Sequence, residues 1–253
     1  MYAKYYTGPI LAALALVIGL ANAATIERRA PAQVFTRCSV PNTVALTFDD
    51  GPYIYMRDAV NILDAAGIKG SFFLNGNNWA CIYNSELASA VKYAFDRGHQ
   101  IGSHTWSHPH MSTLGWDALH SEMFRIEQAI ERITGAVPAF MRPPYGEYND
   151  LVREAAGSRG LSIVNWDFDS EDGRSASPAR QMQLYDEVAA RHPTSILSLQ
   201  HEVHQTSISQ TLPYAIEKLK ASGYRFVTVA ECLGLPAYTR TGSPQPRDGN
   251  WHC

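Results

Sequence analysis

Two aspartates stand side by side at Asp49 and Asp50, inside the stretch Thr47-Phe48-Asp49-Asp50-Gly51-Pro52 that ends an apolar run. Neighbouring carboxylates repel each other, and burial makes each ionised form costlier. A chain keeps such a pair where a cation or a mobile proton offsets that cost. The stretch Ser103-His104-Thr105-Trp106-Ser107-His108 offers the complement. Its two histidines are four residues apart, a spacing that puts both imidazoles on one face of a helical turn. Pairs of this kind also arise by chance among nine histidines, so this one gains meaning only beside the aspartates. One carboxylate and two imidazoles form a neutralising ligand set for a divalent ion. Imidazole selects against magnesium and calcium, so zinc is the expected metal, with cobalt the second choice. Three protein ligands leave positions open for water and substrate, as a catalytic ion requires. One aspartate would bind the ion and the other would accept a proton from its water. Which does which stays open at this level.

Further chemistry lies at Arg142-Pro143-Pro144-Tyr145-Gly146 and at His201. The two prolines stiffen a turn and remove two amide donors, so the Tyr145 N–H is the first available after them. It could serve an oxyanion, with Arg142 as a cation near an acid. The bland alternative is a rigid loop with a satisfied arginine. A lone histidine at a strand end is more often structural, but on the same rim as a metal set His201 becomes a general-acid candidate. Trp79, Tyr145 and Trp166 are candidates to stack on pyranose faces, against the ordinary expectation that barrel aromatics pack the core.

These groups need elements to gather them. Apolar runs of strand length occur at 44–48, 70–74, 100–103, 139–142, 162–166, 196–199 and 224–229. Most are nearly continuous rather than alternating, which suits strands buried on both faces. Helical patterns lie between them, as at 57–66 and at 115–133, where Leu119, Met123, Ile126, Ile130 and Ile133 fall at helical spacing. Gly67, Gly98, Gly135 and Gly223 stand where those helices should stop. About seven strand–helix alternations predict a single α/β domain with a parallel sheet. The polar motifs follow several different strands. A barrel brings all C-terminal strand ends to one rim, whereas an open sheet gathers only those at its switch point, so a (β/α) barrel is expected.

The 253 residues are 45% apolar and 18% charged, enough for one large domain or two small ones, and the net charge of -3 comes without a basic run that could track phosphates. Nucleic acid is therefore not an expected partner. Residues 1–23 carry an early Lys4, an apolar run from Ile10 to Leu20 and then Ala21-Asn22-Ala23, the pattern of a cleaved secretory signal. The run is too short to favour a transmembrane helix. A secreted protein of the extracellular space or cell wall is expected, with no membrane attachment after cleavage. Residues 24–37 read as an arm or propeptide containing the dibasic Arg28-Arg29, 38–235 as the domain, and 236–253 as a Pro- and Gly-rich tail. Four cysteines in an oxidising compartment imply two disulfides with three available pairings. Cys38 precedes the first strand of the domain and Cys232 follows the last, so joining them would lock the two ends together. Cys81 would then hold Cys253 and the tail.

The motifs TFDDGP, SHTWSH, RPPYG, DSED and LSLQH, in this order, resemble the polysaccharide deacetylase family (carbohydrate esterase family 4, the NodB homology domain) from about residue 44 to 229. The signal, the cysteines and FFLNGNNW make the chain most similar to its secreted fungal chitin deacetylase branch. The resemblance implies a distorted (β/α) barrel, a metal held by Asp50, His104 and His108, and Asp49 as the base that activates water. It implies His201 as the acid that protonates the leaving amine, and the Tyr145 N–H as an oxyanion donor. Arg142 would orient Asp49, and Asp172 would hold His201 protonated. The implied reaction is hydrolysis of the N-acetyl groups of β-1,4-linked N-acetylglucosamine chains to free amines and acetate. Acetylxylan esterase and peptidoglycan deacetylase are the alternatives within the family, and an inactive chitin-binding protein is the alternative of another class. One departure stands out: the family's tryptophan after the second aspartate of DSED is Gly173 here. The apolar wall beside the acetyl methyl then falls to another residue, with Trp166 and Leu199 as the candidates. All proposed groups lie in one chain, so a monomer is the default expectation.

Overall fold

The apolar runs become the staves of a parallel barrel. The structure is a computed structural model and describes residues 1–4 and 30–253. In chain order its elements are β1 (Val34–Phe35), β2 (Thr43–Ala45), β3 (Thr47–Asp49), α1 (Met56–Ala65), β4 (Ser71–Leu74), α2 (Ser85–Asp96), β5 (Gln100–Ser103), α3 (Trp116–Thr134), β6 (Ala136–Pro138), β7 (Phe140–Met141), α4 (Asp150–Ser158), β8 (Ser162–Val164), β9 (Phe168–Asp169), α5 (Pro178–Arg191), β10 (Ser195–His201), α6 (Leu212–Ala221), β11 (Arg225–Phe226), α7 (Val229–Leu233) and β12 (Tyr238–Thr241). β2 and β3 form one stave interrupted at Leu46. Parallel neighbours run β8–β7–β5–β4–β3–β10, and β11 lies beside β2. After β8 the chain bends over residues 165–167 and returns as β9 on the other edge of β10, with Phe168 opposite Ser198. One bent stave thus touches both β7 and β10 and closes an irregular ring, the expected distorted barrel.

Alternate side chains along each stave face opposite ways. Ala45, Phe73, Phe140, Val164 and Leu197 fill the interior. Leu46, Phe48, Phe72, Ile101 and Ile196 face outward and meet Val60, Leu63, Val91, Ile130, Tyr185 and Leu219 from the helices. Gly102 must lack a side chain, because a Cβ there would come within 2.7 Å of the Phe73 ring. The N-terminal end of the barrel is plugged by α7, whose start is fixed by a capping box between Thr228 and Glu231. Two further N–H groups of its first turn are satisfied by the barrel: Val229 donates to Ser71 Oγ (2.9 Å) and Ala230 to Gln100 Oε1 (2.8 Å).

The disulfides join Cys38 to Cys232 and Cys81 to Cys253, as expected. Several boundaries differ from the sequence reading. Within the expected arm, Val34 and Phe35 pair in parallel with Ile163 and Val164, so the segment extends the sheet. Within the expected tail, β12 pairs antiparallel with β6, a strand the periodicity did not reveal. The run at 224–229 is strand only at Arg225–Phe226, because Thr228 already caps α7. The apolar run of the expected signal and Arg28-Arg29 lie outside the described residues. Among the described residues no helix is long and apolar enough to cross a membrane.

Candidate active site

The C-terminal rim of the barrel gathers Asp49 and Asp50 after β3, His104 and His108 after β5, Arg142 after β7, Asp172 after β9 and His201 at the end of β10. The connecting backbone is unusual there. Asp50, Thr105, His108, Tyr145 and Glu171 all adopt left-handed φ between 59° and 74°. Such conformations cost about 1–3 kcal/mol each for residues with a Cβ, and their concentration in the polar motifs marks a site built for function rather than stability. They also correct one expectation. His104 and His108 do not share a helical turn; the segment between them is an irregular loop, and the left-handed Thr105 and His108 bring the rings to 5.0 Å centroid separation.

The three groups expected to bind metal do converge. Ligand atoms of Asp50, His104 and His108 all lie within 4.8 Å of one another. Asp50 Oδ1 is 3.5 Å from His104 Nε2 and 3.2 Å from His108 Nε2. His104 Nδ1 lies 2.7 Å from the Arg142 carbonyl oxygen. A carbonyl can only accept, so Nδ1 carries the proton and Nε2 turns a lone pair towards Asp50. Asp50 Oδ1 is buried with no hydrogen-bond partner among the described residues. A buried acceptor facing imidazole lone pairs is a costly arrangement that a shared cation resolves, so the residues fit a divalent ion.

Asp49 sits on one side of this triad, its Oδ2 3.8 Å from His104 Nε2. Its other oxygen accepts from Arg142 Nη1 at 2.8 Å. Arg142 is fully buried and lies over the Phe73 ring. Its remaining donors go to Thr47 Oγ1 (2.6 Å) and to the Val164 and Asn165 carbonyls (3.0 Å each). The guanidinium is thus locked across three staves and can hold Asp49 in one orientation. In the following turn, Gly146 and Glu147 donate back to the Pro143 and Pro144 carbonyls, and the Tyr145 amide is not among the groups that close it.

His201 lies beside Asp49, as its register partner on the neighbouring parallel strand. Its Nδ1–H donates to Asp172 Oδ1 (2.7 Å), while its own backbone N–H donates to Oδ2 (2.8 Å). The Gly173 N–H also donates to Oδ1 (2.8 Å). Burial disfavours the imidazolium, but the Asp172 carboxylate outweighs it and His201 is pushed up to about 9. Asp172 is correspondingly lowered against its own burial. Gly173 packs directly on this ring: a Cβ there would come 2.7 Å from His201 Cε1.

Asp49, Asp50, His104, His108 and His201 line a cleft of about 460 Å³, together with Trp79, Tyr145, Trp166, Leu199 and Arg174. Trp166 and Leu199 both reach it, as needed to replace the missing tryptophan. Trp79 is half exposed and extends an aromatic row from His201 through His204, with ring centroids 5.9 and 5.7 Å apart. Tyr145 stacks on His110 at 4.1 Å. The sequence reading passed over Glu202, which is fully buried behind the metal loop. It accepts from the Tyr53 N–H (3.1 Å) and fills the space that a side chain at Gly51 would need. Burial pushes its carboxyl up to about 8, with the Asp50 charge adding to the effect. Its position beside His201 was the only signal available. Thr47, which accepts from Arg142, lay within the quoted motif without a role.

Fold and rim together define a class: a barrel hydrolase whose rim gathers two adjacent carboxylates, a carboxylate-paired imidazole and an Asp–His–His group able to hold a metal ion. The polysaccharide deacetylase family model matches residues 36–164. A chitin deacetylase of Pestalotiopsis sp is 38% identical over 224 residues, covering 87% of this chain and 74% of that protein. A chitin deacetylase of Colletotrichum lindemuthianum is 34% identical over 233 residues, covering 88% and 93%. The structure of the chitin deacetylase from the fungal pathogen Colletotrichum lindemuthianum superposes with a TM-score of 0.78 at 32% identity, covering 82% of this chain and 94% of that one. The chain belongs to the polysaccharide deacetylase family and is a deacetylase hydrolase.

Proposed function

We propose that this protein is a secreted chitin deacetylase that removes acetyl groups from β-1,4-linked N-acetylglucosamine chains, leaving amines and acetate. The observation that carries the reading is the His201–Asp172 pair beside Asp49. An amide nitrogen is a poor leaving group and must be protonated as it departs, whereas an ester oxygen leaves with less help. An imidazolium held up at about 9 stays charged at neutral pH and suits the amide. An acetylxylan esterase is less well matched to it. The similarity to two fungal chitin deacetylases over most of the chain supports the same substrate.

Asp50, His104 and His108 would hold the ion, and the mixed carboxylate–imidazole set favours zinc. When bound, the ion would polarise the acetyl carbonyl and acidify a water beside Asp49. Asp49, held by Arg142, is the residue that would accept the proton of the attacking water. The Tyr145 N–H is the fixed donor for the developing oxyanion. His201 gives its proton to the sugar nitrogen as the C–N bond breaks, and Asp172 keeps the ring in the tautomer and orientation for that transfer. Trp166 and Leu199 shield the acetyl methyl, and Trp79 offers a face to a neighbouring sugar. Two disulfides and the N-terminal sequence support export, and the site is complete within one chain, which supports a monomer.

The test is acetate release by the purified protein from chitin oligosaccharides, acetylated xylan and peptidoglycan, with and without a chelator. Release from the chitin oligomers, abolished by chelation and restored by zinc, is expected, with Asp49→Asn inactive. Release from xylan or peptidoglycan alone would overturn the substrate. Release that persists in metal-free protein would overturn the metal set.

A further inference from the structure

The helix α3 carries a feature that the reaction does not use. Trp116, His120 and Phe124 follow one another at four-residue spacing, which places them in a row about 6 Å apart along the helix axis. Trp116 and His120 touch, with ring centroids 4.4 Å apart. Trp116 is 41% and Phe124 50% exposed, although the opposite face of the same helix is buried through Leu119, Met123, Ile126, Ile130 and Ile133. Large apolar side chains aligned on one exposed face mark a binding surface more often than scattered ones do. Tryptophan and phenylalanine also gain little helix stability from being there.

The His120 and Phe124 end of the row borders a concavity of about 500 Å³ between α3, α4 and β12, separate from the active cleft, and Trp116 lies just outside it. Its walls are planar polar groups. Arg159 forms two 2.8 Å hydrogen bonds to Glu127 and lies over one face of Phe124. Arg240 pairs with Glu131. His120 Nε2 is buried without a partner among the described residues. The two cations are matched by two carboxylates, so the surface is balanced in charge. That does not suit a polyanion or a polycation. An uncharged polymer with apolar ring faces and hydroxyl or amide edges fits both parts: rings on the aromatic row, edges on the guanidinium–carboxylate pairs.

We infer that the α3 groove and its Trp116 margin are a second polysaccharide-binding site, in which Trp116 and Phe124 offer exposed ring faces to a β-1,4-linked N-acetylglucosamine chain. This rests on the proposed substrate. The two rings stand about 12 Å apart along the helix axis, so a chain running along the helix can meet both, with His120 tilted against Trp116 between them. Such a site holds the protein on insoluble polymer while a separate stretch enters the active cleft, and raises the local substrate concentration as any second binding module does.

The experiment compares wild type, the Trp116→Ala/Phe124→Ala double variant and Leu235→Ala. Leu235 is exposed to 38% outside the groove and controls for general loss of apolar surface. Co-sedimentation with insoluble chitin, acetate release from a soluble chitin tetramer and size by light scattering are measured on each. The double variant is expected to lose roughly tenfold or more in affinity for insoluble chitin. Its rate on the tetramer should stay within twofold of wild type, and Leu235→Ala should match wild type throughout. Equal sedimentation of double variant and wild type would overturn the inference, as would absence of wild-type binding. An equal fall in the tetramer rate would assign the residues to the fold or active site instead. A wild-type dimer that the double variant dissociates would make the groove a subunit interface. If wild type binds through the row but releases no acetate, the groove stands and the catalytic reading falls.

Discussion

Replacing Asp172 by asparagine tests the acid directly. Asp172 Oδ1 lies 2.7 Å from His201 Nδ1, inside a buried pocket where its charge is poorly screened. His201 rises from the ordinary 6.5 to about 9 although burial pulls the other way. At about 1.4 kcal/mol per pH unit, that rise is worth about 3 kcal/mol of preference for the imidazolium. Asparagine keeps the size but removes the charge, so His201 should fall to 6.5 or below. At pH 8 the protonated fraction then drops from about 90% to about 3%, a loss of roughly 30-fold in an amide-cleaving rate that needs the acid. The assay is the pH profile of kcat/KM for a chitin tetramer. The alkaline limb should move down by about 2.5 pH units in folded, metal-loaded Asp172→Asn. Any bound metal is common to both proteins and does not cancel the difference. Hydrolysis of an activated aryl acetate, whose leaving group needs no proton, should change far less. An alkaline limb unmoved by the substitution would refute the reasoning. The stability effect has a definite sign: because the folded value exceeds the unfolded one, the contribution is full below about pH 6.5 and is lost as pH rises through about 9. The melting temperatures of wild type and variant should therefore converge at alkaline pH.

Gly173→Ala should push the His201 ring aside, because its Cβ would sit 2.7 Å from Cε1. A fall in kcat of about 10- to 100-fold with unchanged metal content is expected, and wild-type kcat would show that the ring has room to spare. Gly51→Ala places a Cβ 1.9 Å from Glu202 Oε1 and should destabilise the fold by about 1–3 kcal/mol in urea unfolding. Glu202→Ala in the same chain should restore part of that loss as a favourable coupling; strict additivity would mean the two sites do not compete for the same space.

Much of the site was legible because its groups lie in short contiguous motifs at strand ends. Asp49, Asp50 and His201 each follow a continuous apolar run, and parallel strands deliver their C-terminal ends to one rim. Local sequence was a poorer guide where distant contacts decide the backbone. The helical spacing of His104 and His108 suggested a turn that does not form, because left-handed residues pack that loop over the cleft. Val34–Phe35 and Tyr238–Thr241 are too short and too mixed to announce themselves as strands, and acquire that state only from the edges of β8 and β6. The sequence by itself determined the residue types, their order and the parallel α/β class, and left three cysteine pairings of which the structure forms Cys38–Cys232 and Cys81–Cys253. Only the tertiary structure decided the rest: that Arg142 is buried against Asp49, that Asp172 grips His201, and that Glu202 fills the space Gly51 leaves. Those relations join residues about 30 to 150 positions apart, and side-chain electrostatics depend on distance and burial in space, which spacing along the chain does not encode.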